Sequence, residues 1–168
     1  KATTVWKKTD GFFDPTVGSL VNAYGFGPQK PLRRIGMVQL DSLRQFTGWE
    51  KISLRENGTI RKDHPAIYLD FNAIAKGYTV DVIANYLLEK GQQNYLVEIG
   101  GELRVKGTKP DGKLWSIQIE NPNTDGTRSA HSFLKLTNIS MASSGNYRKF
   151  RLSSDGTKYV HTINPKTG

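Results

Sequence analysis

The sequence predicts an α+β fold with a mostly antiparallel sheet and few helices. Short segments with alternating apolar residues, such as "NYLVEIG" and "LWSIQIENP", are typical of half-buried strands. The pairs Asn57-Gly58 and Asp155-Gly156 each separate two β-prone segments, and both are strong hairpin turns. Only one long segment, residues 69–91, has clear helical periodicity. Strands therefore dominate, and because hairpins join them the sheet is expected to be antiparallel.

The first half of the chain is predicted to hold most of the helices. One helix is expected to end near Lys8, a second lies around Thr16 to Tyr24, and a third, "MVQLDSLRQFTG", is closed by Gly48. The segment "KISLRENGTIRK" then predicts a hairpin, and "AIYLDF" predicts a strand that runs directly into the long helix.

The second half is predicted to be mainly strands. The segment "NYLVEIGGELRVKG" predicts two strands separated by a double glycine, which indicates a bulge or a close backbone contact. The segments "FLKLTNISMASS" and "YRKFRLSSDGTKYVHTI" complete the set of antiparallel strands.

Length and composition bound the class of protein. A chain of 168 residues with 36% hydrophobic content predicts one folded domain, and no apolar run approaches the roughly 20 residues that cross a membrane. Cysteine is absent, which excludes disulfides, zinc–thiolate sites and cysteine nucleophiles. Lys1 is not a native start and the chain stops at "HTINPKTG", so we expect it to be truncated at both ends.

The net charge of +9 indicates anionic partners. The basic residues are scattered, with only short pairs such as Lys7-Lys8 and Arg33-Arg34, and no zinc-finger, RNP or helix-turn-helix pattern is present. A solvated basic surface is therefore favoured, and a nucleic-acid-binding module stays open as an alternative of another class.

The long helix has an ordinary rear half and an unusual front half. Val80, Ile83, Ala84 and Leu87 form one apolar stripe. In front of them, "DFNAIAKGY" combines small residues, a lysine and Gly77, although glycine destabilises a helix. Bare backbone and the charge of Lys76 at a helix start suit a phosphate or pyrophosphate. The alternative is that Gly77 allows tight helix packing and the side chain of Lys76 is solvated.

Three further stretches have compositions that packing alone does not explain. In "DGFFDPTVG", Asp14 or Thr16 is predicted to cap the following helix with Pro15 at its first position, and such a helix start can also present N–H groups to a ligand. Glu102 follows the double glycine and is a candidate hydrogen-bond acceptor. In "SMASSGNY", the hydroxyl residues around Ser144 predict either an anion cradle or a simple turn.

Histidine is the remaining candidate for chemistry. His161 lies in a predicted strand that enters a Pro/Gly turn, whereas His64 and His131 are predicted to be loop or strand-edge residues. A neutral imidazole, with an ordinary pKa of about 6.5, can accept a proton at neutral pH. A lone histidine is nevertheless more often structural than catalytic.

The order of these blocks along the chain is more specific than any one of them. The segments "GFFDPTVGSLVNAYGFG", "LDFNAIAKGYTVD", "LVEIGGELRVKG", "WSIQIENP", "SMASSGNYRKF" and "YVHTINPKTG" resemble, in order, those of the FAD:protein FMN transferase family, the ApbE-like flavin transferases. The most specific are A-K-G-Y-x-x-D and H-x-I-x-P-x-T-G. The resemblance implies a T-fold-like arrangement of two interleaved α+β halves.

The resemblance also implies a reaction and partners. Family members bind FAD with Mg²⁺, a threonine hydroxyl of an acceptor protein attacks the FMN phosphorus, and AMP leaves. The implied acceptors are subunits of membrane redox complexes, of the sodium-pumping NADH:quinone reductase or Rnf type, with a motif resembling D-x-x-S-G-x-T that this chain lacks. No nucleic-acid partner is implied. Such enzymes are exported to the periplasmic side of a bacterial membrane, where many are lipid-anchored.

Carried over position by position, the resemblance assigns roles to residues of this chain. His161 would be the catalytic base or orienting group, and the carbonyl of Ala75 would be a magnesium ligand. The FAD-binding residues would be Asp14, Pro15, Thr16, Asn72, Lys76, Tyr78, Asp81, Glu102, Ser144 and Ile163. Asp81 is assigned either to fix the helix or to reach the nucleotide.

One departure from the family pattern limits this assignment. Family members have a further segment after P-x-T-G, with an aspartate and a threonine that complete the metal site, and an N-terminal portion that forms part of the isoalloxazine pocket. As a truncated fragment, the chain is expected to bind FAD poorly. A family member that only binds FAD, or hydrolyses it to FMN and AMP, stays open as an alternative.

Overall fold

A computed structural model describes residues 1–32, 35–147, 150–152 and 156–168, and it shows the predicted α+β class. The described residues contain four α-helices: α1 (Ala2–Lys8), α2 (Gly18–Ala23), α3 (Met37–Arg44) and α4 (Asn72–Glu89). Short 3₁₀ turns, Pro15–Val17 and Trp49–Lys51, precede α2 and the first strand. Within the described residues, none of these helices has the length and apolar character needed to span a membrane.

The nine described strands form four small sheets, and every pairing is antiparallel, as predicted. They are β1 (Ile52–Leu54), β2 (Ile60–Lys62), β3 (Tyr95–Ile99), β4 (Glu102–Lys106), β5 (Trp115–Glu120), β6 (Ala130–Leu136), β7 (Ile139–Met141), β8 (Phe150–Leu152) and β9 (Lys158–Val160). The sheets are β1-β2, β3-β4-β7, β5-β6 and β8-β9. The hairpin around Asn57-Gly58 is confirmed. In the second hairpin, β8 pairs with β9 as predicted, but Asp155 of its turn lies outside the described residues.

The chain divides into two compact units. Unit 1 comprises Lys1–Ala73 and Lys149–Gly168, and unit 2 comprises Ile74–Arg148. The expectation of a single domain stays a prediction.

Unit 2 is built by packing α4 against the β3-β4-β7 sheet. Val80 and Ala84 of α4 are buried with Tyr95 and Val97 of β3, and Leu87 packs against this cluster. The predicted apolar stripe is therefore correct for these three helix positions, whereas Ile83 is 39% exposed. Burying apolar side chains from a helix and a sheet in one cluster is the main stabilising contribution to this unit.

Unit 1 buries a different set of side chains. Leu20 and Ala23 of α2 and Ile67, which follows β2, are removed from solvent. Pro15 and Thr16, at the start of the α2 region, are also buried. Unit 1 thus places the predicted "DPT" motif in its interior.

The predicted strand "AIYLDF" is wrong. Residues 67–71 belong to no strand, although Ile67 is buried. The N–H of Asp70 donates instead to the carbonyl of Pro15 at 2.7 Å, a single tertiary bond rather than part of a ladder. Burial of Ile67 in unit 1 explains the apolar character that suggested a strand.

Two helix boundaries also differ from prediction. Helix α3 ends at Arg44, before Gly48, because the N–H groups of Phe46 and Thr47 donate to carbonyls three residues back, at 3.0 Å, and the helical i→i+4 pattern stops there. The ammonium of Lys51 then donates to the carbonyls of Gln45 and Thr47 at 2.8 and 2.6 Å. Helix α4 begins at Asn72, so Ala75, Lys76 and Gly77 lie one turn inside it rather than at its start.

Candidate functional site

Asp14 organises the loop that begins the α2 region. Its Oδ1 accepts hydrogen bonds from the N–H and the hydroxyl of Thr16, at 2.8 and 2.6 Å, so Asp14 is the predicted N-cap with Pro15 at the first helical position. Its Oδ2 accepts from the N–H of Trp49 at 2.9 Å, and Thr16 Oγ1 accepts from the N–H of Gly48 at 2.6 Å. Both side chains are buried, so this network joins two loops inside unit 1. Contact of these residues with FAD stays a prediction.

A cleft of about 400 Å³ opens beside this network in unit 1. Trp6 and Lys7 of α1 line it together with Asp14, Thr47 and Glu50. Pro165 and Lys166, from the predicted Pro/Gly turn, also contribute to its wall. The cleft was missed in the sequence because its lining residues are far apart along the chain.

His161 was predicted to lie in a strand, but it is the first residue after β9, which ends at Val160. The residue is exposed, and its ring packs edge-on against Phe26 with 6.1 Å between the ring centroids. The following turn is confirmed by a bond of 2.7 Å from the N–H of Gly168 to the carbonyl of Asn164. Ile163, between His161 and this turn, is half-buried.

Helix α4 starts with an aspartate-capped turn. Asp70 Oδ1 accepts the N–H of Asn72, the first helical residue, at 2.7 Å, which satisfies one of the free N–H groups of the helix start. Three positions after Asn72, the carbonyl of Ala75 accepts a hydrogen bond from the hydroxyl of Thr79 at 2.9 Å. Because Ala75 is inside the helix, this carbonyl also faces the N–H four residues on.

Gly77 is not required by packing. A Cβ built on it would have no atom of the described residues within 4 Å, so tight packing of the helix is wrong as its explanation. Tyr78, next to it, is 51% exposed. The helix surface around Gly77 is therefore open to a ligand.

The side chain of Lys76 is held by the turn that joins β3 and β4. Its ammonium donates to the carbonyl of Gly100 at 3.0 Å and makes an ion pair with Glu102 Oε2. This Oε2 is shielded from solvent and has no hydrogen bond of good geometry, so the ion pair is its partner. Lys76 is consequently held in one place rather than mobile, although its side chain is still 46% exposed to solvent, as the alternative expected.

The double glycine forms a tight hairpin turn, and the predicted bulge is wrong. Gly100 and Gly101 have φ of +57° and +98°, and they link the paired residues Ile99 and Glu102, as in a type I′ turn. The predicted close contact is correct, because a Cβ on Gly100 would lie 3.3 Å from Lys76 Cδ.

Two other predicted positions lie in unit 2. Asp81 makes an ion pair of 3.1 Å with Arg104 of β4, which fixes α4 to the sheet, the first of the two roles assigned to it. Ser144 is exposed in the loop after β7. The neighbouring Ser143 lies beside the glycine turn, 3.8 Å from a Cβ built on Gly101.

The structure thus brings some predicted residues together within each unit. In unit 1, Asp14, Pro15 and Thr16 form one buried motif. In unit 2, Lys76 contacts Glu102 directly. The sequence analysis missed Arg104, which pairs with Asp81, and the N–H groups of Gly48 and Trp49, which bond to Thr16 and Asp14. These partners are distant along the chain. The glycine at position 48, which has a φ of +136° in the structure, is a local sign of an unusual backbone there.

The described residues offer few donor atoms for a metal ion. Among the described residues, no cluster of three or more His, Cys, Asp or Glu side chains could hold a metal ion. The carbonyl of Ala75 is a hard oxygen donor of the kind Mg²⁺ accepts. The chain therefore supplies one suitable donor at the predicted position, and the fit is partial.

Comparison with known proteins decides the family. The ApbE family model matches residues 1–168. The chain belongs to the ApbE family. A relative from Haemophilus influenzae, named FAD:protein FMN transferase, is 44% identical over 166 residues, which cover 96% of this chain and 48% of the relative.

Solved ApbE structures agree in fold. The flavin transferase ApbE from Vibrio cholerae has a TM-score of 0.81 at 41% identity, covering 99% of this chain and 52% of that one. The ApbE protein from Thermotoga maritima has a TM-score of 0.83 at 28% identity, covering 99% of this chain and 53% of that one. The resemblance read from the sequence is therefore confirmed, and this ApbE chain spans about half the length of the curated relatives it matches.

Proposed function

We propose that this chain is part of an FAD:protein FMN transferase. A hydroxyl oxygen of an acceptor protein attacks the FMN phosphorus of FAD, the bond from that phosphorus to the bridging oxygen breaks, and AMP leaves. The product carries FMN in a phosphodiester bond to the acceptor side chain. The observation that carries the proposal is the family match over residues 1–168, together with 44% identity to a relative of that name.

His161 is proposed to remove the proton from the attacking hydroxyl. A threonine or serine hydroxyl is a weak nucleophile until a base takes its proton. The exposure of His161 supports this role, because the second substrate is a protein that must approach from solvent. The edge-on contact with Phe26 restricts the orientation of the imidazole ring.

Lys76 is proposed to bind a phosphate oxygen of FAD as an oriented donor. An ammonium has three N–H groups. One donates to the Gly100 carbonyl and a second faces Glu102, which leaves one for a ligand. The open surface at Gly77 allows the ligand to approach the helix backbone closely.

Magnesium is a further part of the proposal. When bound, it would neutralise charge that develops on the transferring and leaving phosphates. Ala75 would contribute its carbonyl, for which a bound ion would have to replace the Thr79 hydroxyl. Because this chain provides one donor, the steps above rest on His161 and Lys76 alone.

The acceptor and the compartment are proposed on the family resemblance. Subunits of membrane redox complexes are the proposed acceptors, and the periplasmic side of a bacterial membrane, with a lipid anchor, is the proposed location. The net charge of +9 is compatible with acidic partners.

Product analysis tests the proposal. The protein, expressed at its full native length, is incubated with FAD, Mg²⁺ and the peptide Asp-Ala-Ala-Ser-Gly-Ala-Thr. Transfer predicts one AMP per flavinylated peptide, detected by mass spectrometry and flavin fluorescence. Release of FMN and AMP without modified peptide would show the hydrolase alternative, and absence of AMP would exclude both reactions.

A further inference from the structure

Residues 24–27 form the turn that ends helix α2, and hydrogen bonds fix its backbone. Gly25 adopts a φ of +78°, and its N–H donates to the carbonyl of Asn22 at 2.9 Å. The N–H of Phe26 donates to the carbonyl of Val21 at 3.0 Å, which completes the hydrogen-bond pattern of a Schellman motif. Because glycine adopts this left-handed conformation without strain, the turn fixes the direction in which the side chain of Phe26 projects.

Phe26 lies against one face of the β8-β9 hairpin. Arg151 of β8 and Tyr159 of β9 are directly opposite each other in the ladder, so their side chains share a face. The guanidinium of Arg151 lies 5.6 Å from the centroid of the Phe26 ring, and the ring of Tyr159 is 6.0 Å from it at 79°. Arg151 also donates a hydrogen bond to the carbonyl of Gly25. The hairpin therefore holds both the ring and the backbone of the turn, and His161 follows Tyr159 by two residues.

Tyr24 contacts the chain on both sides of His161. Its ring centroid is 6.0 Å from that of Tyr159, two residues before the histidine. Its hydroxyl donates to the carbonyl of Gly168 at 2.8 Å, seven residues after the histidine. Gly168 packs closely as well, because a Cβ built on it would lie 2.4 Å from Leu40 Cδ1. The segment that carries His161 is thus attached to the turn of residues 24–27 at two points.

We propose that Phe26 and Tyr24 are positioning residues for His161, an inference that rests on the transfer function proposed above. An exposed side chain normally changes rotamer within nanoseconds, whereas a general base acts only in the correct geometry. Phe26 acts directly, because its ring packs edge-on against the imidazole with 6.1 Å between the ring centroids. Tyr24 acts by holding the residues that flank the histidine. Together they fix the place of His161 and the plane of its ring, so they should affect the transfer step more than the binding of either substrate.

The test separates positioning of the base from substrate binding and from folding. The first-order rate constant of single-turnover transfer is measured with the peptide Asp-Ala-Ala-Ser-Gly-Ala-Thr at saturation. The KM for the peptide, the Kd for FAD and the thermal midpoint are measured alongside it. The full-length protein is compared with Phe26→Leu, Phe26→Tyr and Tyr24→Phe. Tyr86→Phe is the matched control for Tyr24→Phe, because Tyr86 is 56% exposed in α4 of unit 2.

The expected result is slower transfer with little change in binding. Phe26→Leu should reduce the rate constant by about 10- to 100-fold, because a displacement of about 1 Å at a reacting group can cost about 100-fold. Tyr24→Phe removes only the hydroxyl and should reduce the rate constant by about 3- to 10-fold, the worth of one hydrogen bond. Phe26→Tyr keeps the ring and should stay within about threefold of the parent, and Tyr86→Phe should stay within about twofold. The peptide KM and the FAD Kd should change by less than about twofold in all four variants.

Other outcomes would overturn the inference in distinguishable ways. Parental rate constants in Phe26→Leu and Tyr24→Phe would exclude positioning by the turn while leaving the transfer function intact. A lower thermal midpoint with an unchanged rate constant would leave the turn a structural role alone, because a first-order rate constant does not depend on the fraction of protein that is folded. Equal losses of rate in Phe26→Leu and Phe26→Tyr would show that the aromatic ring is not what the histidine requires. A weaker FAD Kd or a higher peptide KM with an unchanged rate constant would assign the turn to substrate binding instead. No transfer by the parent would contradict the proposed function itself.

Discussion

Gly77→Ala should stabilise the protein and weaken its binding of FAD. Glycine in a helix interior is about 1 kcal/mol less favourable than alanine. Gly77 is inside α4, its φ is not positive, and a Cβ there would meet no atom of the described residues within 4 Å. The added methyl group therefore gives the full helix-propensity gain without a clash, and the thermal midpoint should rise by about 2–4 °C for a chain of this size.

The same methyl group should interfere with a ligand that lies against the helix. If FAD approaches the backbone at Gly77, inserting a Cβ into that contact should cost about 1–3 kcal/mol of binding free energy. The Kd for FAD, measured by titration of flavin fluorescence, should therefore increase while stability in the absence of FAD improves. Opposite signs in the two measurements distinguish a ligand-binding glycine from a structural one.

Gly91→Ala is the matched control. Gly91 also has open space around a built Cβ, but its φ of +78° ends helix α4, so alanine there should cost about 1–2 kcal/mol of stability without affecting FAD. A loss of stability in Gly77→Ala would refute the argument from open helix surface. An unchanged FAD Kd in that variant would remove Gly77 from the ligand site.

Three further predictions concern the other motifs. His161→Asn should reduce transfer of FMN by about 10²- to 10⁴-fold in single-turnover assays with little change in FAD Kd, and transfer at the parental rate would exclude it as the base. Ala75→Val should weaken the Mg²⁺ dependence of FAD binding relative to the neighbouring control Ala73→Val, and equal Mg²⁺ titrations in the two variants would argue against a metal at this carbonyl. Thr16→Val should lower the free energy of unfolding, measured by urea denaturation, by about 1–3 kcal/mol, because the N–H of Gly48 and an oxygen of Asp14 each lose a buried hydrogen-bond partner. Thr4→Val, at an exposed position, is the control. An equal effect of the two substitutions would refute the argument from the buried network.

Local patterns in the sequence were sufficient to predict the elements whose bonds are local. The hairpin at Asn57-Gly58 and the cap at Asp14 depend on residues within a few positions, and both are present. The segment "AIYLDF" was predicted wrongly because burial of Ile67 in unit 1 and burial within a sheet produce the same apolar signal. Periodicity does not tell which neighbour covers an apolar side chain.

The candidate site was harder to predict because its partners are distant along the chain. Lys76 was recognised as unusual, but Glu102, which neutralises it, is brought near by the turn at Gly100 and Gly101. In unit 1, the carboxylate of Asp14 accepts a hydrogen bond from the N–H of Trp49, 35 residues away along the chain. Such pairs depend on the tertiary fold, and a single sequence contains no local signal for them.

The backbone N–H groups of Gly48 and Trp49 lie in an irregular loop, yet their hydrogen exchange should report on the global unfolding of unit 1. Amide protons in exposed loops usually exchange with solvent through small local openings. The two amides here are bonded to Thr16 and Asp14, whose side chains lie in the interior of unit 1. They can be released only when that interior opens, so in deuterium exchange they should be as slow as amides of the buried helix α2 and much slower than those of the adjoining β1-β2 hairpin.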